Sequence, residues 1–252
     1  MATWSTRRKS TYAAIFIVLI VIVIGVPSFF VFYKAPTCSD GLKNGNEGGV
    51  DCGGACEKLC SSSFLPIPPA QWVRYKEISQ NVYNAAAYII NPNHSGTASD
   101  VPYKIELIDK DGVTIATGKG TVTIPPGRNT LAFSAGISTG TQKPVRAVFT
   151  FTGEPDWIVE NDPLKSLETS SKDYTEEGGG SALSVTFTNN GVKPVSNLAV
   201  YAVLRDKDSN VVDFSKTYID EVRAHDTATA PFTWPVSHNG EVISIEVLPV
   251  AE

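Results

Sequence analysis

Twenty consecutive uncharged residues, Ala13 to Phe32 (AAIFIVLIVIVIGVPSFFVF), constrain this chain more than any other feature. A helix rising about 1.5 Å per residue covers roughly 30 Å over such a run, the thickness of a bilayer's hydrocarbon core. A helix at the surface of a soluble core would carry a polar stripe, and this run has none. The pattern predicts a transmembrane helix over 13–33, with residues 1–12 as a short tip before it. Gly25 and Pro27 predict a kink, which a spanning helix tolerates when neighbouring groups satisfy the freed carbonyl.

A cleaved signal peptide is the competing reading. Its apolar region is normally about 7–15 residues long and is followed by small residues. Here the run is longer, and Phe29, Phe30, Phe32 and Tyr33 stand where small residues belong. A lipoprotein cut before Cys38 fits poorly, because Ala35-Pro36-Thr37 lies well past the apolar run. Arg7, Arg8 and Lys9 are the only charges before residue 34. By the positive-inside rule they place the N-terminus in the cytoplasm and everything after Tyr33 outside. Of 21 basic and 26 acidic residues, the portion after the span keeps 18 and 26, a balance of -8. That balance argues against a nucleic-acid partner, which needs a basic footprint.

All four cysteines fall within 34–60: Cys38, Cys52, Cys56 and Cys60. An even, clustered set on the outer side of a membrane predicts two disulfides in a segment too short and Gly-rich to bury a core. Spacing leaves all three connectivities open. Zinc bound by the four thiolates is the alternative, but the three-residue gaps are looser than a usual knuckle. Between Cys38 and Cys52, the residues Asp40, Asn44, Asn46, Glu47 and Asp51 offer the oxygen ligands calcium prefers. The same residues, interleaved with glycines, are ordinary turn formers, and their spacing is not that of an EF-hand loop. We therefore expect no resident cofactor, with calcium as the one candidate. The stretch looks like a short motif, C-x-DG-x-x-N-x-x-E-x-x-x-DCGG-x-C, seen in many extracellular prokaryotic proteins. Cys38, Asp40, Gly41, Asn44, Glu47, Asp51, Cys52, Gly53, Gly54 and Cys56 meet its fixed positions.

Residues 61–69 (SSSFLPIPP) read as a semi-rigid Ser/Pro spacer. Beyond it the period changes to two. Tyr83, Ala85, Ala87 and Ile89 alternate with their neighbours, as do Tyr103, Ile105 and Leu107. Asn91-Pro92-Asn93, Asp111-Gly112 and Pro125-Pro126-Gly127 punctuate such runs as turns. The pattern then recurs. Leu107-Ile108-Asp109-Lys110-Asp111-Gly112 is echoed 97 positions later by Leu204-Arg205-Asp206-Lys207-Asp208-Ser209. The fold class expected is all-β: two tandem antiparallel β-sandwiches of immunoglobulin-like type, over 70–157 and 158–252, behind one N-terminal transmembrane helix.

The order of strands and turns resembles the FxLYD family of immunoglobulin-like modules. Ile105, Leu107, Ile108 and Asp109 fall on its Phe-x-Leu-Tyr-Asp signature in the first copy, and Ala202, Leu204, Arg205 and Asp206 in the second. Leucine and aspartate recur in both copies; the aromatic positions hold other residues. The resemblance implies an extracytoplasmic module without a known active site. In it, Leu107 and Leu204 would face a core, and Asp109 and Asp206 would open hairpins.

Candidate chemistry is sparse. Gly136-Ile137-Ser138-Thr139-Gly140 fits the nucleophile-elbow pattern, yet Thr141 to Val145 lead to another strand rather than a helix. His94, His225 and His238 fall in turns and read as exposed loop residues. Trp72, Trp157 and Trp234 read as packing residues, and an exposed aromatic on a sandwich would instead suit a glycan. Asn93-His94-Ser95 is a glycosylation sequon. We expect no enzyme, but a membrane-anchored structural or interaction protein facing a partner protein or envelope polymer. A glycan-binding or envelope-remodelling accessory is the second expectation, and a hydrolase the remotest.

Overall fold

The computed structural model describes residues 4–33, 35–158 and 162–252. The chain divides into two compact units at Cys56/Glu57. In the N-terminal unit, α1 (Trp4–Ile20) continues through a π-helical turn (Val21–Gly25) into α2 (Val26–Phe32). The helix thus already includes Trp4, well before the start expected from the apolar run. The stretch Arg8–Phe29 is long and apolar enough to cross a bilayer. The π turn lies directly before Pro27 and contains Val23, the residue whose carbonyl a proline four positions on can neither bond nor clear. Widening that turn absorbs the mismatch while the helix goes on.

The cysteine segment is a knot of turns held by two disulfide pairs, and all four cysteines are oxidised. One pair is Cys38–Cys56. Because this loop has no apolar core, its order comes from the cross-links and from carboxylates that accept backbone N–H groups.

The C-terminal unit is all-β, with every strand pair antiparallel. Its first half contains β1 (Trp72–Ser79), β2 (Val82–Ile89), β3 (Thr97–Ile108), β4 (Thr114–Ile124), β5 (Thr130–Ser138), β6 (Arg146–Phe151) and the short β7 (Trp157–Ile158). Sheet order is β1-β2-β5 against β4-β3-β6, with β7 added to β3. The second half contains β8 (Leu167–Glu177), β9 (Gly180–Asn189), β10 (Val195–Arg205), β11 (Val211–Val222), β12 (Thr227–Trp234) and β13 (Ser244–Ala251). Its sheets are β8-β9-β12 and β11-β10-β13, the same connectivity again.

The repeat extends to the backbone. Asn81 and Gly178, Asp100 and Asn197, and Gly112 and Ser209 are three pairs separated by 97 positions, and all six residues have positive φ. Each pair sits at one place in the repeat: the first hairpin, an early position in the central strand, and the second hairpin. The register shifts beside Asp100 but not beside Asn197. Asp109 Oδ1 accepts the N–H groups of Asp111 and Val113, and Asp206 Oδ1 accepts those of Asp208 and Asn210. Leu107 and Leu204, two residues earlier, are both fully buried.

Each sandwich has its own core. Tyr83, Ala85, Ala87, Ile89, Ile105 and Leu107 belong to the first. Leu183, Val185, Phe187, Leu198, Leu204 and Phe232 belong to the second. A third cluster joins the halves: Ala86, Tyr88 and Leu131 pack with Ala199, Tyr201, Val203, Phe214 and Val250. The alternate residues of β2 and β10 therefore do not face water. Sheet β1-β2-β5 lies on sheet β11-β10-β13, and both central strands are buried on two faces. Phe214 meets Trp72 and Phe133 at ring-centroid separations of 6.2 and 6.1 Å. At the rim, Tyr88 donates to Glu246 (2.5 Å), which also pairs with Arg205 (2.9 Å).

Residues 61–69 do not form the spacer expected. Phe64 stacks on Trp157 at 4.6 Å, and Phe64, Ile67 and Leu59 pack against the first core. Leu65 and Asn93 exchange two hydrogen bonds, backbone to amide and amide to backbone (2.8 and 2.9 Å). Gly96 makes room for this strap, since a Cβ there would press on Phe64 and Leu59. The three serines form a 3-10 turn, Ser61–Ser63, rather than extended chain, and the apolar residues among the prolines that follow anchor the segment to the sandwich.

Candidate functional site

A cluster of titratable and hydroxyl side chains lies at the edge of the second sandwich. Asp213 on β11 is paired with Leu204, a core residue of β10, so its carboxylate is directed to the sandwich interior. Only 4% of that side chain is exposed. A buried carboxylate must be paired, and this one is. His238, in the loop between β12 and β13, places Nε2 3.1 Å from Asp213 Oδ2. The same oxygen lies 3.6 Å from Lys76 Nζ, which comes from β1 of the first sandwich. Asp213 Oδ1 accepts the backbone N–H of Phe214 at 2.8 Å.

The other face of the imidazole meets two hydroxyls. Tyr174 and Ser181 lie 2.9 and 3.1 Å from His238 Nδ1. Tyr174 donates to Glu176 (2.7 Å), and Glu176 also accepts from Ser237 and from the backbone of Gly240. These donors, led by Tyr174, hold the Glu176 carboxyl below its usual range. Burial, followed by the bond to Glu176, pushes the Tyr174 phenol up to about 12. These bonds tie the loop 235–241 to β8.

Ser181, His238 and Asp213 reproduce the membership of a hydrolase triad but not its geometry. In that triad Nε2 faces the serine and Nδ1 the carboxylate. Here the two nitrogens are exchanged. The Ser181 hydroxyl is buried and is held by the Val236 carbonyl at 3.1 Å. Ser138, the serine of the sequence pattern, pairs with Val82 at the end of β5, and the chain then turns and enters β6. The strand-to-helix context of an elbow is not there.

His238 reads from the sequence as an exposed turn residue, and the structure buries it. A histidine in a turn gives no signal of burial when the carboxylate that receives it stands 25 positions away. His94 and His225 are exposed. The sequon asparagine is buried and spends its amide on Leu65, which removes it from glycosylation in the folded chain. Trp157 and Trp234 are buried, and Trp72 is half-buried at the seam between the sandwiches.

Three of the five candidate calcium residues, Asp40, Glu47 and Asp51, accept hydrogen bonds within the loop through their carboxylates. Asp51 accepts the N–H groups of Asp40 and Gly41. Asp40 accepts from Thr37, Leu42 and the Asn44 side chain. Glu47 accepts the N–H of Asn44. Asn46 contributes its carbonyl to Ala55 N–H. These bonds are those of Asx-type turn formers.

No family model matches the chain, and no curated protein matches it. Solved structures resemble it distantly. The exo-chitosanase CsxA of Amycolatopsis orientalis is 10% identical with a TM-score of 0.25, over 70% of this chain and 25% of that one. The transglutaminase of red sea bream is 8% identical with a TM-score of 0.25, over 74% of this chain and 30% of that one. A β-glucuronidase from glycoside hydrolase family 2 is 8% identical with a TM-score of 0.22, over 87% of this chain and 29% of that one. This chain thus spans less than a third of each of these structures.

Proposed function

We propose that the chain is a single-pass, non-enzymatic membrane protein whose two sandwiches act outside the cytoplasm as one interaction body for a protein or envelope polymer. The observation that carries this reading is the third apolar cluster, which joins the two sandwiches into one body. An oxidised cysteine segment supports the outward orientation, because disulfides persist in oxidising compartments. Arg7, Arg8 and Lys9 on the short side of the span support it too. The FxLYD-like module supplies the architecture of this reading, and calcium has no role in it.

Topology can be measured by labelling intact cells with an amine reagent that does not cross membranes. Lys119, Lys143 and Lys193 are exposed and should be modified, whereas Lys9 should react only after lysis. Labelling of Lys9 alone in intact cells would reverse the orientation.

A second reading, glycan binding, is favoured by one groove of about 490 Å³ beside the seam between sandwiches. Trp72, Tyr88, Asn129, Arg205 and Glu246 line it. The half-buried Trp72 ring beside amide, guanidinium and carboxylate groups suits a hydroxyl-rich ligand.

A further inference from the structure

We propose that Lys76 and Asp213 are a self-modification site, at which the two sandwiches become joined by an intramolecular isopeptide bond. Three features of the cluster converge on the Asp213 carboxyl group, and each matches one requirement of amide formation.

The nucleophile is the Lys76 amine, 3.6 Å from Oδ2. It is carried on β1 and steadied by the Val212 carbonyl at 3.4 Å. The amine is thus held beside the carboxyl group whose carbon it must reach, so that approach to Cγ is a short movement within one contact rather than an encounter. The acid is His238, whose Nε2 lies 3.1 Å from the same oxygen, the one that must leave. A carboxylate only accepts, so Nε2 carries a hydrogen. Tyr174 and Ser181 spend theirs on Glu176 and the Val236 carbonyl, so Nδ1 carries one as well. The acid is therefore an imidazolium that becomes a neutral imidazole when Nε2 gives its proton. The third element is the Phe214 N–H, 2.8 Å from Oδ1, where negative charge collects when the carbonyl carbon becomes tetrahedral. Side-chain exposures of 4% for Asp213 and 3% for His238 keep bulk water away from the reacting carbon. The Lys76 side chain is 40% exposed, so the amine has a path by which the released water can leave.

The step balances without a co-reactant. A proton passes from the Lys76 ammonium to Asp213 Oδ2. The freed lone pair on Nζ adds to Cγ, and the carbonyl pair moves onto Oδ1. His238 Nε2 gives its proton to Oδ2, the Cγ–Oδ2 bond breaks, and water departs. The imidazole regains a proton from Nζ. One ammonium and one carboxylate become one amide and one water, with no change of oxidation state. Lys76 and Asp213 are consumed, and His238 is restored.

Joining these residues links β1 to β11, across the seam between the two cores. An ordinary ion pair between sandwiches can open; an amide cannot.

The test uses the full-length chain purified in detergent and analysed by intact mass and by tryptic mapping. The expected mass is one water below that of the disulfide-bonded sequence. Trypsin should fail at Lys76 and release a branched peptide joining 75–104 to 208–216. Asp213→Asn keeps the electrophile and should lose one ammonia instead. Lys76→Arg should lose nothing. In a pulse of new synthesis, His238→Gln should form the link at least about tenfold more slowly, given the usual contribution of a positioned acid. A cooperatively melting wild-type sample with the full mass and a tryptic cut at Lys76 would overturn the proposal. So would retention of the water loss in Lys76→Arg. A His238→Gln variant that links at the wild-type rate would overturn the assignment of the acid.

Discussion

Two residues at corresponding places make the energetics of the repeat visible. Gly112 and Ser209 both hold positive φ, at 80° and 64°, in hairpins opened by an identically bonded aspartate. Glycine occupies this region freely, whereas a residue with a Cβ costs about 1–2 kcal/mol there. Ser209→Gly should therefore stabilise the second sandwich, by up to about 1 kcal/mol once the greater freedom of glycine in the unfolded chain is set against it. Gly112→Ser should do the reverse to the first. The check is a denaturant titration in which the midpoint moves and the slope does not. An unchanged midpoint in both variants would show that these turns carry no strain.

At the scale of elements, β2 and β10 show what can be read from the sequence and what cannot. Alternation in β2 identifies Tyr83, Ala85, Ala87 and Ile89 as an inward row, and these are core residues. The intervening Ala86 and Tyr88 face a second apolar layer. A strand buried on both faces reads as a continuous apolar run, and sequence period alone does not say what covers the second face. The 97-residue echo is legible because each of its signals is local. The Lys76–Asp213–His238 cluster is not, because its members are brought together by sheet packing across most of the β unit. The strap 61–69 escapes the sequence for a related reason: proline reports an extended backbone but not what it lies on. The inter-sandwich layer centres on Phe214 of β11. Phe214→Ala should cost about 3–5 kcal/mol, the usual range for removing a buried aromatic side chain. If docking is the property lost, calorimetry should resolve one melting transition into two. A single transition at an unchanged temperature would mean that the third cluster contributes little.

For the molecule as a whole, alkaline pH tests the same seam. Burial, followed by the hydrogen bond to Glu246, pushes the Tyr88 phenol up to about 12 in the folded chain, against an ordinary value near 10. Below pH 10 both folded and unfolded chains keep the proton, and this group adds no pH dependence. Between pH 10 and 12 the unfolded chain releases it and the folded chain does not. Stability should therefore fall as pH rises through that window. Tyr174 and Tyr201 are raised as well and contribute to the same slope. Tyr88→Phe should flatten the fall of melting temperature without abolishing it. An identical slope in wild type and variant would remove Tyr88 from the account.

The way the two repeats meet has a further consequence. The first uses its β1-β2-β5 sheet, and the second uses β11-β10-β13, the counterpart of the sheet the first leaves free. Such a head-to-tail contact could in principle add unit after unit along a line. The two outer faces differ from the seam in what they carry. On the free sheet of the first repeat, Lys104 pairs with Glu106 and has Lys119 across from it on β4. On the free sheet of the second repeat, Thr188 and Thr186 of β9 lie beside Thr227 and Thr229 of β12. Charge closes one end of the stack and hydroxyls the other, as the polar caps of a solenoid do. The side chains named on these two faces suit contact with water better than a further copy of the apolar seam.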